Sequence, residues 1–141
     1  MITMSSLVNV LYPVPDYRRT PLSTVRWWES RRLTFNKAVG AAGLVTLAGM
    51  SFFFALPPFA EPMPLAFMVA GAAAYGFMAN VCYTFGWQIE ILARRFLGRS
   101  APDLGPILFR QGLIFSVGLT LLPLIVSALA WVARCVAWIV F

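Results

Sequence analysis

Residues 79–95 read ANVCYTFGWQIEILARR. An apolar run enters this stretch from the N-terminal side, and Asn80, Tyr83, Thr84, Gln88, Glu90, Arg94 and Arg95 then replace its Leu and Val within about five helical turns. This is the gradation of a span leaving a bilayer: apolar side chains in the hydrocarbon, aromatic rings at the boundary, bases beyond it. Read so, the stretch makes the chain an all-α integral membrane protein. Its polar residues at four-residue spacing also ask what they face.

Composition agrees with that class. The chain has 141 residues, of which 60% are apolar and only 11% charged, too little polar surface for a soluble domain of this size. The net charge of +6 comes from eleven Lys and Arg against five Asp and Glu. Ten of the eleven bases lie in two segments bordering apolar runs, which points to lipid headgroups and away from nucleic acid. There is no His, and Cys82 and Cys135 form no CxxC pair. No metal, cofactor or disulfide framework is therefore expected.

Working outward, three spans are expected over about 38–59, 65–91 and 112–133, each near the 20 residues that a bilayer core requires. The first stops at PPFAEPMP, residues 57–64, whose prolines cannot continue a regular helix. After the third, one span with an interfacial tail, CVAWIVF at 135–141, fits better than a turn at Pro123. The turn would bury Arg134 near mid-membrane at about 2.5–3.5 kcal/mol. Residues 1–37 hold six bases, the loop around Glu61 none, and Arg94, Arg95, Arg99 and Arg110 lie between spans two and three. The positive-inside rule then places the N-terminus in the cytoplasm and the C-terminus in the periplasm of a bacterial inner membrane.

Ahead of the spans, residues 1–19 carry no basic n-region, and Pro13 and Pro15 break their apolar piece. An extended, mobile cytosolic arm is expected there, and no signal peptide. Thr20-Pro21 is a helix start, with Thr as N-cap and Pro at the first helical position. Over 20–37, Leu22, Val25, Trp28 and Phe35 form one apolar face flanked by bases, predicting a separate amphipathic helix in the headgroup layer. Arg26, Trp27, Trp28, Arg31, Arg32 and Lys37 are its expected clamp on anionic headgroups or on a partner.

The polar residues of 79–95 receive a provisional answer from spacing. Gly76, Asn80, Thr84 and Gln88 recur every four residues on span two, and Gly112, Ser116 and Thr120 do so on span three. Small residues let helices approach and hydroxyls or amides then bond across the gap. An antiparallel seam is expected, with Thr84 level with Ser116, Asn80 level with Thr120, and Gly76 at the closest approach. Glu90 and Arg94 read as an ordinary surface pair. No nucleophile and base, paired carboxylates or metal ligands share a site. The expected function is a non-enzymatic accessory or scaffold subunit of a membrane complex, with lipids and a membrane protein as partners. The alternative is a small transporter or lipid-handling protein that forms a homo-oligomer around Asn80, Thr84 and Ser116.

Overall fold

The computed structural model describes residues 20–58, 60–97 and 104–140; the arm expected over 1–19 lies outside them. Among the described residues there are three helices and no strand: α1 (Pro21–Ala55), α2 (Leu65–Leu97) and α3 (Leu104–Val140). Each is long and apolar enough to cross a membrane.

Helix α1 starts as its sequence requires. Thr20 caps it, its Oγ1 accepting from the Ser23 backbone N–H at 3.3 Å, and Pro21 occupies the first helical position, where no N–H is needed. The separate amphipathic helix expected over 20–37 does not exist, because α1 runs unbroken through Lys37 into the first span. The reason lies in its buried positions. Thr24, Trp28, Phe35, Val39, Ala42 and Thr46 follow one another at steps of four, seven, four, three and four, so Trp28 and Phe35 of the face assigned to headgroups belong to the packing face of the span, while Leu22 is exposed. Gly40 and Gly43 cost about 1 kcal/mol each relative to Ala but do not stop a helix.

At the other end of α1 the prolines stop the helix and leave its last carbonyls to be satisfied from elsewhere. Arg134 Nη2 donates to the Phe53 carbonyl at 2.7 Å, the Glu61 backbone N–H to the Phe54 carbonyl at 3.1 Å, and Trp131 Nε1 to the Pro57 carbonyl at 3.0 Å. A cation at a helix C-terminus also meets the negative end of its dipole. Arg134 thus closes α1 from α3.

The residues after Arg134, expected as an interfacial tail, continue α3 as helix to Val140. Nor does the chain turn at Pro123, which lies inside α3. Pro123 offers no N–H to the carbonyl one turn before it. Hydroxyls supply further bonds to the backbone around it, Ser127 Oγ donating to the Pro123 carbonyl at 2.8 Å and Thr46 Oγ1 of α1 to the Thr120 carbonyl at 2.7 Å.

Ring contacts fix the arrangement. Trp28, Tyr83 and Phe109 meet at one end, whereas Phe53 meets Trp131 at the other. Helices α1 and α3 are therefore parallel, with α2 antiparallel to both, and the most extensive contact is between α1 and α3. At 35, 33 and 37 residues the helices measure about 50–55 Å each, against a bilayer core of about 30 Å. Roughly 20 Å of each exceeds the core.

Candidate functional site

The basic end of the bundle is built around a carboxylate. Glu90 is fully buried; its Oε2 accepts from Trp28 Nε1 at 2.8 Å and its Oε1 pairs with Arg94 Nη2 at 3.1 Å. A buried charge is tolerated only when paired and hydrogen-bonded, and Glu90 has both. Helix α3 covers it with Gly105, where a Cβ would come within 2.6 Å of Oε2. One turn before Glu90, a Cβ at Gly86 would fall 2.5 Å from the Trp28 ring. These two glycines are what allow three helices to close on one indole and one carboxylate.

Trp28 is held from its other side as well. The Tyr83 hydroxyl donates to the Trp28 carbonyl at 2.5 Å. The Trp28 ring stands edge-on to Tyr83 and Phe109 at centroid distances of 5.3 and 6.2 Å, and Phe35 packs on Tyr83 at 4.7 Å. Edge-to-face pairs of this kind add about 0.5–1.5 kcal/mol each beyond their burial. Glu90 and Arg94, read from sequence as a surface pair, are instead part of a bond network that includes α1. Tyr83 is a buried donor.

Further along the bundle a second polar set joins the helices. Tyr75 Oη donates to the Ser116 carbonyl at 2.9 Å and lies 2.8 Å from Thr120 Oγ1, whose single proton can go to Tyr75 or to the Ser116 carbonyl at 2.6 Å. With Thr46 on the Thr120 carbonyl, this set bonds α1 and α2 to the same turn of α3.

Beside it, α1 and α2 enclose a cavity of about 550 Å³. Gly40, Gly43 and Met50 of α1, Gly71 and Gly76 of α2, and Leu119 of α3 are among its lining residues. A Cβ at Gly40, Gly71 or Gly76 would meet nothing within 4 Å. Missing side chains open this space. At the opposite end of the bundle a smaller cavity of about 270 Å³ lies between Glu61 and Arg134.

The residues singled out from spacing fall in different places. Ser116 and Thr120 contact another helix. Gly76 and Asn80 line the cavity, Asn80 Nδ2 donating to the Gly76 carbonyl of its own helix at 3.0 Å. Thr84 Oγ1 donates to the Val81 carbonyl, also within α2; Gln88 and Gly112 are exposed, with nothing within 4 Å of a Cβ at Gly112. The register differs as well. Tyr83 faces Phe109 and Tyr75 faces Ser116, a slide of about 12 Å from the pairing of Thr84 with Ser116. That pairing assumed equal depth for both span centres, whereas both helices run past the core.

Of the residues expected to form a clamp, Arg26 and Lys37 are exposed and Trp28 is buried. Trp27 stands edge-on to Trp28 and Phe109, with the Arg31 guanidinium 3.9 Å from its ring centroid. Arg32 pairs with Glu29 at 2.8 Å and lies over Tyr83 at 5.3 Å. Four of the six therefore fold back on the bundle. Sequence reasoning missed Gly86, Glu90 and Gly105 as one site; the available signal was Gly86 one helical turn before a lone carboxylate. No protein-family model matches the chain, and no curated protein or solved structure matches it either.

Proposed function

We propose that this protein is a non-catalytic accessory or scaffold subunit of a complex in a bacterial inner membrane, with its basic end in the cytoplasm. The observation that supports this reading is the brace around Glu90. If a core of about 30 Å runs from Asn36 to Ala55, the last 20 residues of α1, the brace stands on the cytosolic side of it. There it makes a stiff post of three helix ends. The polar side chains that chemistry would need, Glu90, Tyr83, Tyr75 and Thr120, are engaged in holding helices together. A rigid post bearing exposed Arg26, Lys37 and Arg95 suits attachment to a partner at an anionic membrane surface, each base contributing about 1 kcal/mol there.

Extraction of the tagged full chain in a mild detergent tests this. A stoichiometric unlike partner supports the scaffold reading, whereas a homo-oligomer alone supports the alternative, a lipid-handling protein, which the 550 Å³ cavity favours. Orientation has its own test. Thiol labelling of Glu61→Cys should occur on intact cells and that of Ser30→Cys only after permeabilisation, and the reverse pattern would overturn it.

A further inference from the structure

We propose that the cavity between α1 and α2 is the seat of one acyl chain of an anionic phospholipid, with its headgroup at Lys37. The inference holds for a scaffold subunit and for a homo-oligomer alike. Its first ground is size. At about 550 Å³ the cavity is in the range of small-ligand sites, about 300–1,000 Å³. The cavity has room for a hydrocarbon chain.

Shape and lining agree. Along α1 the lining runs from Asn36 to Ser51 and along α2 from Phe67 to Asn80, about 20 Å on each wall, a slot as long as an extended acyl chain. Glycines usually face close neighbours within membrane bundles, yet among the described residues nothing lies within 4 Å of a Cβ at Gly40, Gly71 or Gly76. Met50, Met63 and Met68 supply adaptable walls that can close on a chain of variable length and unsaturation.

Charge supplies the direction. Lys37 is exposed and stands one seven-residue repeat before Leu44, which lines the cavity; seven residues is nearly two whole turns, so both side chains leave α1 on the same side. Asn36, which also lines the cavity, offers an amide donor at the same level. Lys37 lies just beyond the lining at Asn36, whereas the other end is lined by Met63 and Phe67, with no base among its lining residues. A phosphate is therefore held at the Lys37 end, and the chain runs away from it.

The test uses the full chain in phosphatidylcholine vesicles doped with phosphatidylglycerol carrying a diazirine on one acyl chain. Photolysis and peptide mass spectrometry should place most label on residues 40–50 and 67–80. The double variant Gly40→Leu, Gly76→Leu puts branched side chains into the space at positions where a Cβ meets nothing within 4 Å among the described residues; it should keep its melting temperature and lose that label at least fivefold. Lys37→Gln should reduce labelling to the level given by the same diazirine on phosphatidylcholine. Label spread equally over the outer face of α3, at Phe115, Ile125 and Leu129, would mean unselective boundary lipid and would overturn the proposal. So would an unchanged pattern in the double variant, or oxidative dimerisation through Gly71→Cys in a Cys82→Ser, Cys135→Ser background, which would give the cavity to a second copy.

Discussion

Replacing Glu90 separates two accounts of the same residue. If Glu90 and Arg94 were a surface pair four residues apart on a helix, Glu90→Ala would cost only about 0.2–0.5 kcal/mol. In the structure Glu90 has 0% exposure, Trp28 2% and Arg94 23%. Removing the carboxylate takes the acceptor from a buried indole N–H, worth about 1–3 kcal/mol, and also breaks a largely buried ion pair. Such losses total about 3–5 kcal/mol. Glu90→Gln keeps an acceptor for Trp28 but turns an NH₂ donor toward Arg94 and loses the ion pair, for which about 1–3 kcal/mol is expected. Arg94→Ala should cost clearly more in the wild-type chain than in the Glu90→Gln background, because only the former leaves a charged group without that ion pair. Equilibrium unfolding in mixed detergent micelles, followed by circular dichroism, measures all four variants. A cost below about 0.5 kcal/mol for Glu90→Ala would refute the buried brace and restore the surface pair.

The glycines give a parallel test of which positions lie at close approach. Gly86→Ala and Gly105→Ala force a methyl group against the Trp28 ring and Glu90 Oε2 and should each cost about 1–3 kcal/mol in the same assay. Gly76→Ala, in open space, should be neutral or stabilising by up to about 1 kcal/mol; a larger loss at Gly76 than at Gly86 would overturn the packing. Cross-linking reports the neighbours directly. A Cβ at Gly43 lies 3.9 Å from Thr120 Cγ2, so Gly43→Cys with Thr120→Cys should oxidise readily in a background lacking Cys82 and Cys135, while Thr84→Cys with Ser116→Cys should not.

Much of the architecture was legible because a bilayer enforces it. Residues inside hydrocarbon must be apolar and must satisfy their own backbone, so long apolar runs are helices wherever they pack. The Thr20 cap and the proline stop after Ala55 are local effects of this kind. The helix ends that run past the core were read less well. Beyond the hydrocarbon the same amphipathic pattern fits a helix lying on a membrane and a helix packed on two others, and residues 20–37 satisfy both descriptions.

The sequence by itself determined that the described residues form three helices long and apolar enough to cross a membrane, with most bases toward one end, since composition, span length and the positions of Lys and Arg are properties of the chain alone. Tertiary structure decided which stripe faces which helix. Spacing by four picks out Gly76, Asn80, Thr84 and Gln88, and steps of four, four, three and four pick out Tyr75, Ala79, Tyr83, Gly86 and Glu90, two faces of α2 separated by a fraction of a turn. Only the second is closed by other helices, because Trp28 and Gly105, far away in sequence, complete it. The first is left beside an open cavity. A helix has one periodicity and several faces. Periodicity reports that faces exist, whereas the angle at which neighbouring helices dock decides which face is buried.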